Sequence, residues 1–201
     1  MKELYAQISD WMDANPDGWC SKEKAMALVG CILAIRPTTV LEVGIWSGKS
    51  FIPMAMALRH LKIKGCIIGI DPWKAEASVE GIEGEHKKWW SEVDHERIFK
   101  QFTESLVTTQ VAPWTKVFRC RSDEWPIPGD LLIDLAHIDG GHGDFAAVYD
   151  VTHLAARVRI GGLLWWDDLT WSTKASSMLP TLGFVELFRL DTGAMLQRIK
   201  T

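Results

Sequence analysis

The stretch VLEVGIWSGKS, residues 40–50, decides the fold of this 201-residue chain. Its first four residues are apolar apart from Glu42, which is typical of a short buried strand. Gly44 follows at once, and an apolar run from Ser47 to about residue 61 predicts a helix with Pro53 near its first turn. A strand, a glycine turn and a helix in succession indicate the first unit of an alternating β/α sheet.

The same alternation continues toward the C-terminus. Further strands are predicted at residues 66–70, 115–119, 131–138, 163–166, 183–190 and 194–199. Helices over about 94–109 and 144–157 separate strands, and Asp191-Thr192-Gly193 predicts a hairpin turn between the last two. We therefore expect an α/β fold, a Rossmann-like doubly wound and mostly parallel seven-stranded sheet with an antiparallel C-terminal strand and helices on both faces.

Two segments stand outside this alternation. Residues 1–36 contain two predicted helices, of which the second begins after Ser21, a good N-cap, with Lys24 in its first turn. Residues 72–95 are irregular and include two glycines and a tryptophan pair. Because no repeat or linker divides the chain, we expect one domain over 1–201, with 1–36 as a helical cap and 72–95 as an insertion or lid.

Composition excludes several function classes. Lys and Arg number 22 against 26 Asp and Glu, which gives a net charge of −4 and argues against nucleic-acid and membrane partners. The longest apolar run, 25–35, is too short to span a bilayer, which takes about 20 residues. The four cysteines show no metal or redox spacing, and the N-terminus lacks a secretory signal, so a reduced, cytoplasmic protein is expected.

Acidic residues recur where the predicted strands end. Glu42, Asp71, Asp139 and Asp167 close four strands, and Ser122-Asp123 follows a fifth. Acids after strands are often only turn formers and helix N-caps. In an open parallel sheet, however, ligands bind beyond the carboxyl ends of the strands. The acidic residues taken together therefore predict a ligand site lined by carboxylates at this edge of the sheet.

The glycine turn after the first strand allows two interpretations. Gly44 to Ser50 is one residue short of the P-loop pattern G-x-x-x-x-G-K-[ST], and Glu42 would repel a triphosphate. The alternative is a turn for an adenosine cofactor, in which Asp71 binds the ribose hydroxyls of NAD or S-adenosylmethionine. The G-x-G-x-x-G fingerprint of NAD sites is not matched. The negative charge of Glu42 would attract a sulfonium ligand with an amino group.

Four motifs in order resemble the class I S-adenosylmethionine-dependent methyltransferases. Residues 40–50 are similar to their first motif and Gly69-Ile70-Asp71 to their second. Residues 137–142 and 161–168 resemble the small bacterial O-methyltransferases that use a divalent metal, such as the macrocin and aminocoumarin sugar O-methyltransferases. The resemblance covers about 36–201, and the antiparallel seventh strand of that family agrees with the predicted hairpin.

The resemblance implies a role for each motif residue. It implies cofactor contacts near the amino-acid end for Glu42, at the ribose for Asp71, and near the adenine for Ser122 and Asp123. The cofactor-binding residues so implied are Glu42, Gly44, Trp46, Ser47, Gly48, Ser50, Asp71, Ser122, Asp123 and Asp139. Asp139, Asp167 and Asp168 are the implied metal ligands, for Mg²⁺ or another divalent cation, which would also relieve the repulsion among three carboxylates.

The expected function is therefore S-adenosylmethionine-dependent, metal-assisted O-methylation of a small-molecule hydroxyl. His142, beside Asp139, is the candidate general base because the intrinsic pKa of imidazole suits proton transfer at neutral pH, and Lys49 and Asp144 are weaker candidates. Gly141 stands where the family often has a second Asp, so an Asp base is absent from that position. A metal-independent methyltransferase, a P-loop nucleotide-binding protein, an NAD-type oxidoreductase and an inactive interaction module remain alternatives.

Tryptophan is over-represented, with 11 Trp against 2 Tyr. Six of them fall within a few residues of the predicted ligand edge: Trp46, Trp73, Trp125, Trp165, Trp166 and Trp171. They are either core and loop anchors or the wall of a pocket for a flat or apolar acceptor. Trp89-Trp90, with the N-terminal helices, would supply an apolar patch for a homodimer.

Overall fold

The computed structural model describes residues 1–141, 143–170 and 172–200. Its strands are β1 (Thr39–Val43), β2 (Cys66–Ile70), β3 (Thr115–Phe118), β4 (Ile133–Ile138), β5 (Val158–Trp166), β6 (Phe184–Leu190) and β7 (Gly193–Arg198). Its α-helices are α1 (Lys2–Ala14), α2 (Lys22–Ile35), α3 (Phe51–Leu61), α4 (Ala75–Ser78), α5 (Gly84–Glu92), α6 (His95–Thr108), α7 (Asp144–Tyr149) and α8 (Thr173–Ser176).

The seven strands form one sheet in the order β3-β2-β1-β4-β5-β7-β6. Strands β1 to β5 pair in parallel, and β7 lies antiparallel between β5 and β6. This arrangement confirms the predicted fold class. The strand order reverses between β1 and β4, so the carboxyl ends of these two strands flank the crevice in which such sheets bind ligands.

Apolar side chains cover both faces of the sheet. On one face, Val40 and Trp165 pack with α1, α2, α3 and α6, and on the other, Leu41 and Trp166 pack with α7 and the turns that follow it. Neighbouring residues of a strand point to opposite faces, which explains this division. Trp165 and Trp166 are both buried, so for this pair the interpretation as core residues holds.

Two predicted boundaries differ from the structure for local reasons. Helix α3 begins at Phe51 rather than Ser47, because Gly48 has a φ of +86° that no helix accommodates. Strand β5 begins at Val158 rather than 163, because Gly161, with a φ of +81°, forms a bulge inside the strand instead of ending it.

The predicted helix over 144–157 changes its winding along its length. Helix α7 ends at Tyr149, a π turn follows over Asp150–Leu154, and a 3-10 turn covers Ala155–Arg157. Asp150 at the change of winding is buried. Among the described residues, no helix combines the length and apolarity needed to cross a membrane.

Candidate active site

A cavity of about 870 Å³ opens at the carboxyl ends of β1, β2, β4 and β5. Ten of the residues predicted to bind cofactor or metal line it: Gly44, Trp46, Ser47, Ser50, Asp71, Ser122, Asp123, Asp139, Asp167 and Asp168. Glu42 and Gly48 lie outside the lining. His142, the predicted base, and Trp171 fall outside the described residues. The sequence therefore brings most of its predicted site to one cavity.

Asp71 holds the turn that follows β1. Its Oδ2 accepts the backbone N–H groups of Ile45, at 2.8 Å, and Trp46, at 2.9 Å, while its Oδ1 accepts that of Trp73 at 2.7 Å. Burial raises the pKa of Asp71, and these three hydrogen bonds lower it in part. The predicted ribose-binding carboxylate thus also fixes the backbone of the turn, a role that sequence reasoning missed.

Two glycines of the turn are required by neighbouring protein atoms rather than by a ligand. A Cβ on Gly44, which has a φ of +83°, would lie 1.9 Å from the backbone oxygen of Asp139. A Cβ on Gly48 would lie 2.7 Å from the ring of Phe102 on α6. The first contact packs the β1 turn directly against the β4 turn, so the two predicted motifs share one backbone junction.

The N-terminal segment is tied to the same turn. Ser47 Oγ donates to the carbonyl of Asp17 at 2.6 Å, and Lys49 Nζ donates to the carbonyl of Pro16 at 3.1 Å. These bonds place Trp19 and Cys20, just after them, in the cavity lining. Burial raises the pKa of the Cys20 thiol to about 12.

Glu42 lies beneath the cavity, in a layer with two partners. Its Oε1 accepts a short hydrogen bond from Ser50 Oγ and lies 3.0 Å from Nδ1 of His137, its register partner on β4. Glu42 and His137 are both fully buried. Glu42 therefore lies behind Ser50, which lines the cavity, and its contact with a cofactor stays a prediction of the family resemblance.

A lysine lies between two of the predicted metal ligands. Lys24 Nζ is 3.2 Å from Asp139 Oδ2 and in direct contact with Asp167 Oδ2, and only 4% of Lys24 is exposed. His137 Nε2 lies 3.8 Å from each of the same two carboxylate oxygens. The candidate ligand atoms of His137, Asp139 and Asp167 all fall within 4.8 Å of one another.

The charges of this cluster shift one another's pKa values. Burial and Lys24 lower the pKa of His137, but Glu42 and the hydrogen bonds with Asp167 and Glu42 outweigh them and raise it to about 9. Burial raises the pKa of Asp139, which Lys24 offsets only in part. Burial opposes ionisation of Asp167 as well, yet the imidazole and the ammonium hold its pKa well below the usual range.

Lys24 itself stays charged in this setting. Burial lowers the pKa of its ammonium, but the Coulombic attraction of Asp139 and Asp167 exceeds that effect and raises the pKa above its usual value. The side chain belongs to the first turn of α2, whose N-cap Ser21 accepts the Lys24 N–H at 3.1 Å as predicted. The sequence predicted this helix turn correctly but did not predict that its lysine points inward.

Asp168 lies apart from the cluster around Lys24. Its backbone has a φ of +49°, its N–H donates to Asp167 Oδ1 at 3.2 Å, and it is partly exposed at the cavity wall. It does not belong to the group of candidate ligands formed by His137, Asp139 and Asp167 among the described residues.

Ser122 and Asp123 lie at another part of the wall, beside an ion-paired arginine. Arg121 donates to Asp123 Oδ1 at 2.9 Å and to Glu80 Oε2 at 2.6 Å, which joins the 72–95 segment to the turn after β3. Below them, burial raises the pKa of Asp150 to about 7, although a hydrogen bond from Ser122 lowers it in part.

Four indoles meet at the cavity mouth, and we call them the tryptophan cluster: Trp19, Trp46, Trp89 and Trp90. Their ring centroids lie 4.8 to 6.2 Å apart, in tilted and edge-on arrangements. Trp19 is 67% exposed and Trp89 46% exposed. Sequence reasoning missed Trp19. The Trp89-Trp90 pair, which the sequence also offers to a homodimer patch, lines the cavity, and the homodimer stays a prediction.

The β6–β7 hairpin turn also reaches the cavity. Asp191 Oδ2 accepts a hydrogen bond from Ser21 Oγ at 2.7 Å, and Thr192 Oγ1 donates to Asp167 Oδ1 at 3.4 Å. Because β7 inserts beside β5, its turn lies over the end of that strand. The sequence predicted the hairpin but not its place, which only the strand order reveals.

Comparison with known proteins agrees with this geometry. A family model described as a methyltransferase domain matches residues 41–169, well over half of the chain. No match is found among curated proteins.

Solved structures share the fold over nearly the whole chain. Cofactor-bound Rv0187 from MTB is 17% identical and aligns with a TM-score of 0.65 over 99% of this chain and 91% of that one. The O-methyltransferase TomG from Streptomyces achromogenes, in complex with SAM, is 14% identical, with a TM-score of 0.66 over 99% and 90%. SAH-bound PaMTH1 of Podospora anserina is 14% identical, with a TM-score of 0.64 over 98% and 88%.

Proposed function

The chain belongs to the methyltransferase-domain family, and on this premise we propose that it transfers the methyl group of S-adenosylmethionine to a hydroxyl oxygen of a small molecule. One observation carries the proposal: the turn held by Asp71, the half-buried Asp139 and the buried Asp167 line the same cavity. A sulfonium donor needs such a turn beside an acidic wall. The SAM and SAH bound in TomG and PaMTH1 support this choice of donor.

The size and charge of the cavity suit that donor. About 870 Å³ lies toward the upper end of ordinary ligand pockets, which span about 300–1,000 Å³, and leaves space for donor and acceptor together. The lining holds three lysine and arginine side chains, Lys24, Lys49 and Arg121, against seven carboxyl groups: Asp71, Glu80, Asp123, Asp139, Asp167, Asp168 and Asp191. The remaining acidic character favours a positively charged sulfonium over a pyrophosphate.

We propose that the acceptor binds against the tryptophan cluster and presents a flat, aromatic or otherwise apolar face. Indoles that are exposed at a cavity mouth offer large planar surfaces on which rings stack. Trp89 and Trp90 come from the 72–95 segment, and Trp19 precedes α2, so both predicted accessory segments, 72–95 and 1–36, contribute to this part of the wall. Acceptor choice therefore depends on those segments more than on the sheet.

The chemistry requires orientation and one proton acceptor. S-adenosylmethionine, when bound, supplies an electrophilic methyl group, whose carbon bonds to the acceptor oxygen while the C–S electron pair stays with sulfur. The hydroxyl proton passes to Asp139, which lines the cavity and whose pKa burial raises toward the range of an effective base. Because charge is neutralised in this step, positioning and exclusion of water supply most of the rate.

The predicted divalent metal does not fit the carboxylate pair as the structure has it. An Mg²⁺ ligand oxygen lies about 2.1 Å from its ion, yet the oxygens of Asp139 and Asp167 that face each other already contact the ammonium of Lys24. His137, Asp139 and Asp167 could hold an ion only if Lys24 left. We therefore assign no step to a metal, and metal assistance stays a prediction for measurement.

Transfer of a labelled methyl group tests the proposal. The protein is incubated with S-adenosylmethionine carrying a deuterated methyl group and a panel of phenols, hydroxylated polycyclic aromatics and sugars, and the products are analysed by mass spectrometry and NMR. We expect label on oxygen, with planar aromatic acceptors preferred over sugars. Label on nitrogen or carbon alone, or release of S-adenosylhomocysteine without a labelled product from any hydroxyl compound, would contradict it.

A further inference from the structure

Among the residues it describes, the structure buries one lysine, Lys24, between the strand-end carboxylates, which His137 also faces at 3.8 Å. Its Nζ contacts Asp139 Oδ2 at 3.2 Å and Asp167 Oδ2 directly, and its own side chain is 5% exposed. A buried lysine is tolerated only when it is paired, and here two carboxylates from two adjacent strands pair with it. The helix that carries it, α2, precedes the sheet in the chain.

The ammonium stands where a metal ion would be coordinated. The candidate metal-binding atoms of Asp139, Asp167 and His137 lie within 4.8 Å of one another, and Nζ contacts the two carboxylates of this set. A divalent ion bound to the same oxygens would overlap with Nζ or lie within about one atomic diameter of another positive charge, which is strongly repulsive. Ion and ammonium therefore exclude each other.

The ammonium can also donate a hydrogen bond to a ligand. A lysine ammonium has three N–H donors, and its hydrogen bonds within the described part of the chain go to Asp139 and Asp167. Lys24 lines the cavity together with both carboxylates. One donor thus remains to orient an oxygen of the acceptor beside Asp139.

We propose that Lys24 is a built-in cation that replaces the divalent metal of the site, neutralises Asp139 and Asp167, and positions the acceptor oxygen. The part of this inference that concerns the acceptor rests on the proposed function. The part that concerns exclusion of a metal ion rests only on the contacts of Lys24. Lys24 is a positioning residue in this scheme, and the hydroxyl proton still passes to Asp139.

Direct measurement of Mn²⁺ binding tests the inference without any assay of activity. The full-length protein is freed of metal with a chelator and titrated with Mn²⁺, and the free ion is followed by its EPR signal. We expect no stoichiometric binding to the unaltered protein. In Lys24→Ala the carboxylates are released, and we expect Mn²⁺ to bind at least about tenfold more tightly than in the unaltered protein.

Three further variants make the comparison specific. Lys24→Met keeps the length of the side chain without its charge and should not bind Mn²⁺, because the space stays filled. Lys24→Arg keeps the charge and should not bind it either. Lys22→Ala removes a partly exposed lysine of the same helix, paired with Asp13 at 2.6 Å and away from the carboxylate pair, and should leave Mn²⁺ binding unchanged. In thermal denaturation, Mn²⁺ should raise the Tm of Lys24→Ala alone.

The outcomes separate this inference from the proposed function. Stoichiometric Mn²⁺ binding by the unaltered protein, equal to or tighter than that of Lys24→Ala, would overturn the inference whether or not the protein transfers methyl groups. If Lys24→Ala fails to fold even with Mn²⁺, the titration of the unaltered protein still decides. Where methyl transfer is measured, excess chelator should leave its rate unchanged in the unaltered protein, and a loss of activity restored by Mg²⁺ would also overturn the inference.

Discussion

Nδ1 of His137 lies 3.0 Å from Oε1 of Glu42, and the two fully buried side chains join the central strands β4 and β1 beneath the cavity floor. On its other side, the imidazole faces Asp139 and Asp167 at 3.8 Å. The strand-end carboxylates therefore rest on a charged layer that reaches back into the sheet, and this layer gives the site its own dependence on pH.

Glu42→Gln should lower the pKa of His137 from about 9 toward its ordinary value of 6.5. Because the pKa of His137 is raised in the folded state, the stability that it contributes is complete below about pH 6.5 and is lost as the pH rises through 9. The variant should therefore be less stable than the unaltered protein by about 2–4 kcal/mol at pH 6, and by less near pH 9. Urea denaturation across this range measures the difference.

The exposed Glu23 on α2 offers the control. Glu23→Gln should change the free energy of unfolding by less than about 0.5 kcal/mol at each pH. NMR titration of the imidazole ring gives a second readout, and an unchanged midpoint for His137 in Glu42→Gln would disprove the coupling.

Asp150→Asn should stabilise the protein at neutral and higher pH. Burial raises the pKa of Asp150 to about 7, so the protein loses stability progressively as the pH rises from about 4, where the unfolded carboxyl ionises, to 7, above which the fold holds a buried carboxylate. The amide has the same shape and stays neutral. We expect similar stabilities near pH 4 and an advantage for the variant that grows with pH and levels off at roughly 2–4 kcal/mol above pH 7.

Thermal and urea denaturation at several pH values measure this effect. Asp10→Asn, at an exposed position of α1, is the matched control and should show the pH profile of the unaltered protein. An Asp150→Asn variant whose stability stays parallel to the unaltered protein from pH 5 to 8 would show that Asp150 does not titrate there.

Asp71→Asn should weaken the binding of S-adenosylmethionine by about 10- to 100-fold while the protein stays folded. The carboxylate accepts three backbone N–H groups, and an amide offers only one oxygen, so at least one charge-assisted bond worth about 1.5–3 kcal/mol is lost from the turn. Calorimetric titration gives the affinity, with the exposed Asp130→Asn as control. Equal affinities of the two variants for S-adenosylmethionine would show that Asp71 does not contribute to its binding.

Trp89→Ala should raise KM for a planar aromatic acceptor by about five- to tenfold and leave kcat nearly unchanged, because stacking on the tryptophan cluster binds ground state and transition state alike. Phe188→Ala removes an exposed ring of β6 outside the cavity lining and should leave both constants unchanged. A fall in kcat with constant KM would instead place Trp89 at the reacting atoms.

Local patterns predicted most of the fold, because each strand and helix follows from its own residues. The Ser21 N-cap, the glycine turn and the Asp191 hairpin are all where the sequence indicates. Asp71, Asp139 and Asp167 meet at one cavity because parallel strands end at one edge of a sheet. These predictions did not require knowledge of contacts between distant segments, since local patterns and the rule for strand ends were sufficient.

What the sequence could not predict depends on contacts between distant segments. From the sequence, Lys24 is a solvated first-turn residue; only the structure shows its ammonium in contact with Asp139 and Asp167, 115 and 143 residues further along the chain. Trp19 reads as a loop residue until residues 16–18 are seen to bind the turn after β1. Lys24 stands three residues after the N-cap Ser21 and directly before the apolar run 25–35, and this position was the available signal, a weak one.

Calorimetric titration of the unaltered protein with S-adenosylmethionine, and separately with ATP, tests the central claim most directly. We expect one molecule of S-adenosylmethionine bound per chain, no measurable heat with ATP, and competition by S-adenosylhomocysteine. Binding of ATP with no heat from S-adenosylmethionine would contradict the claim. It would instead indicate that the turn over residues 44–50 binds nucleotides.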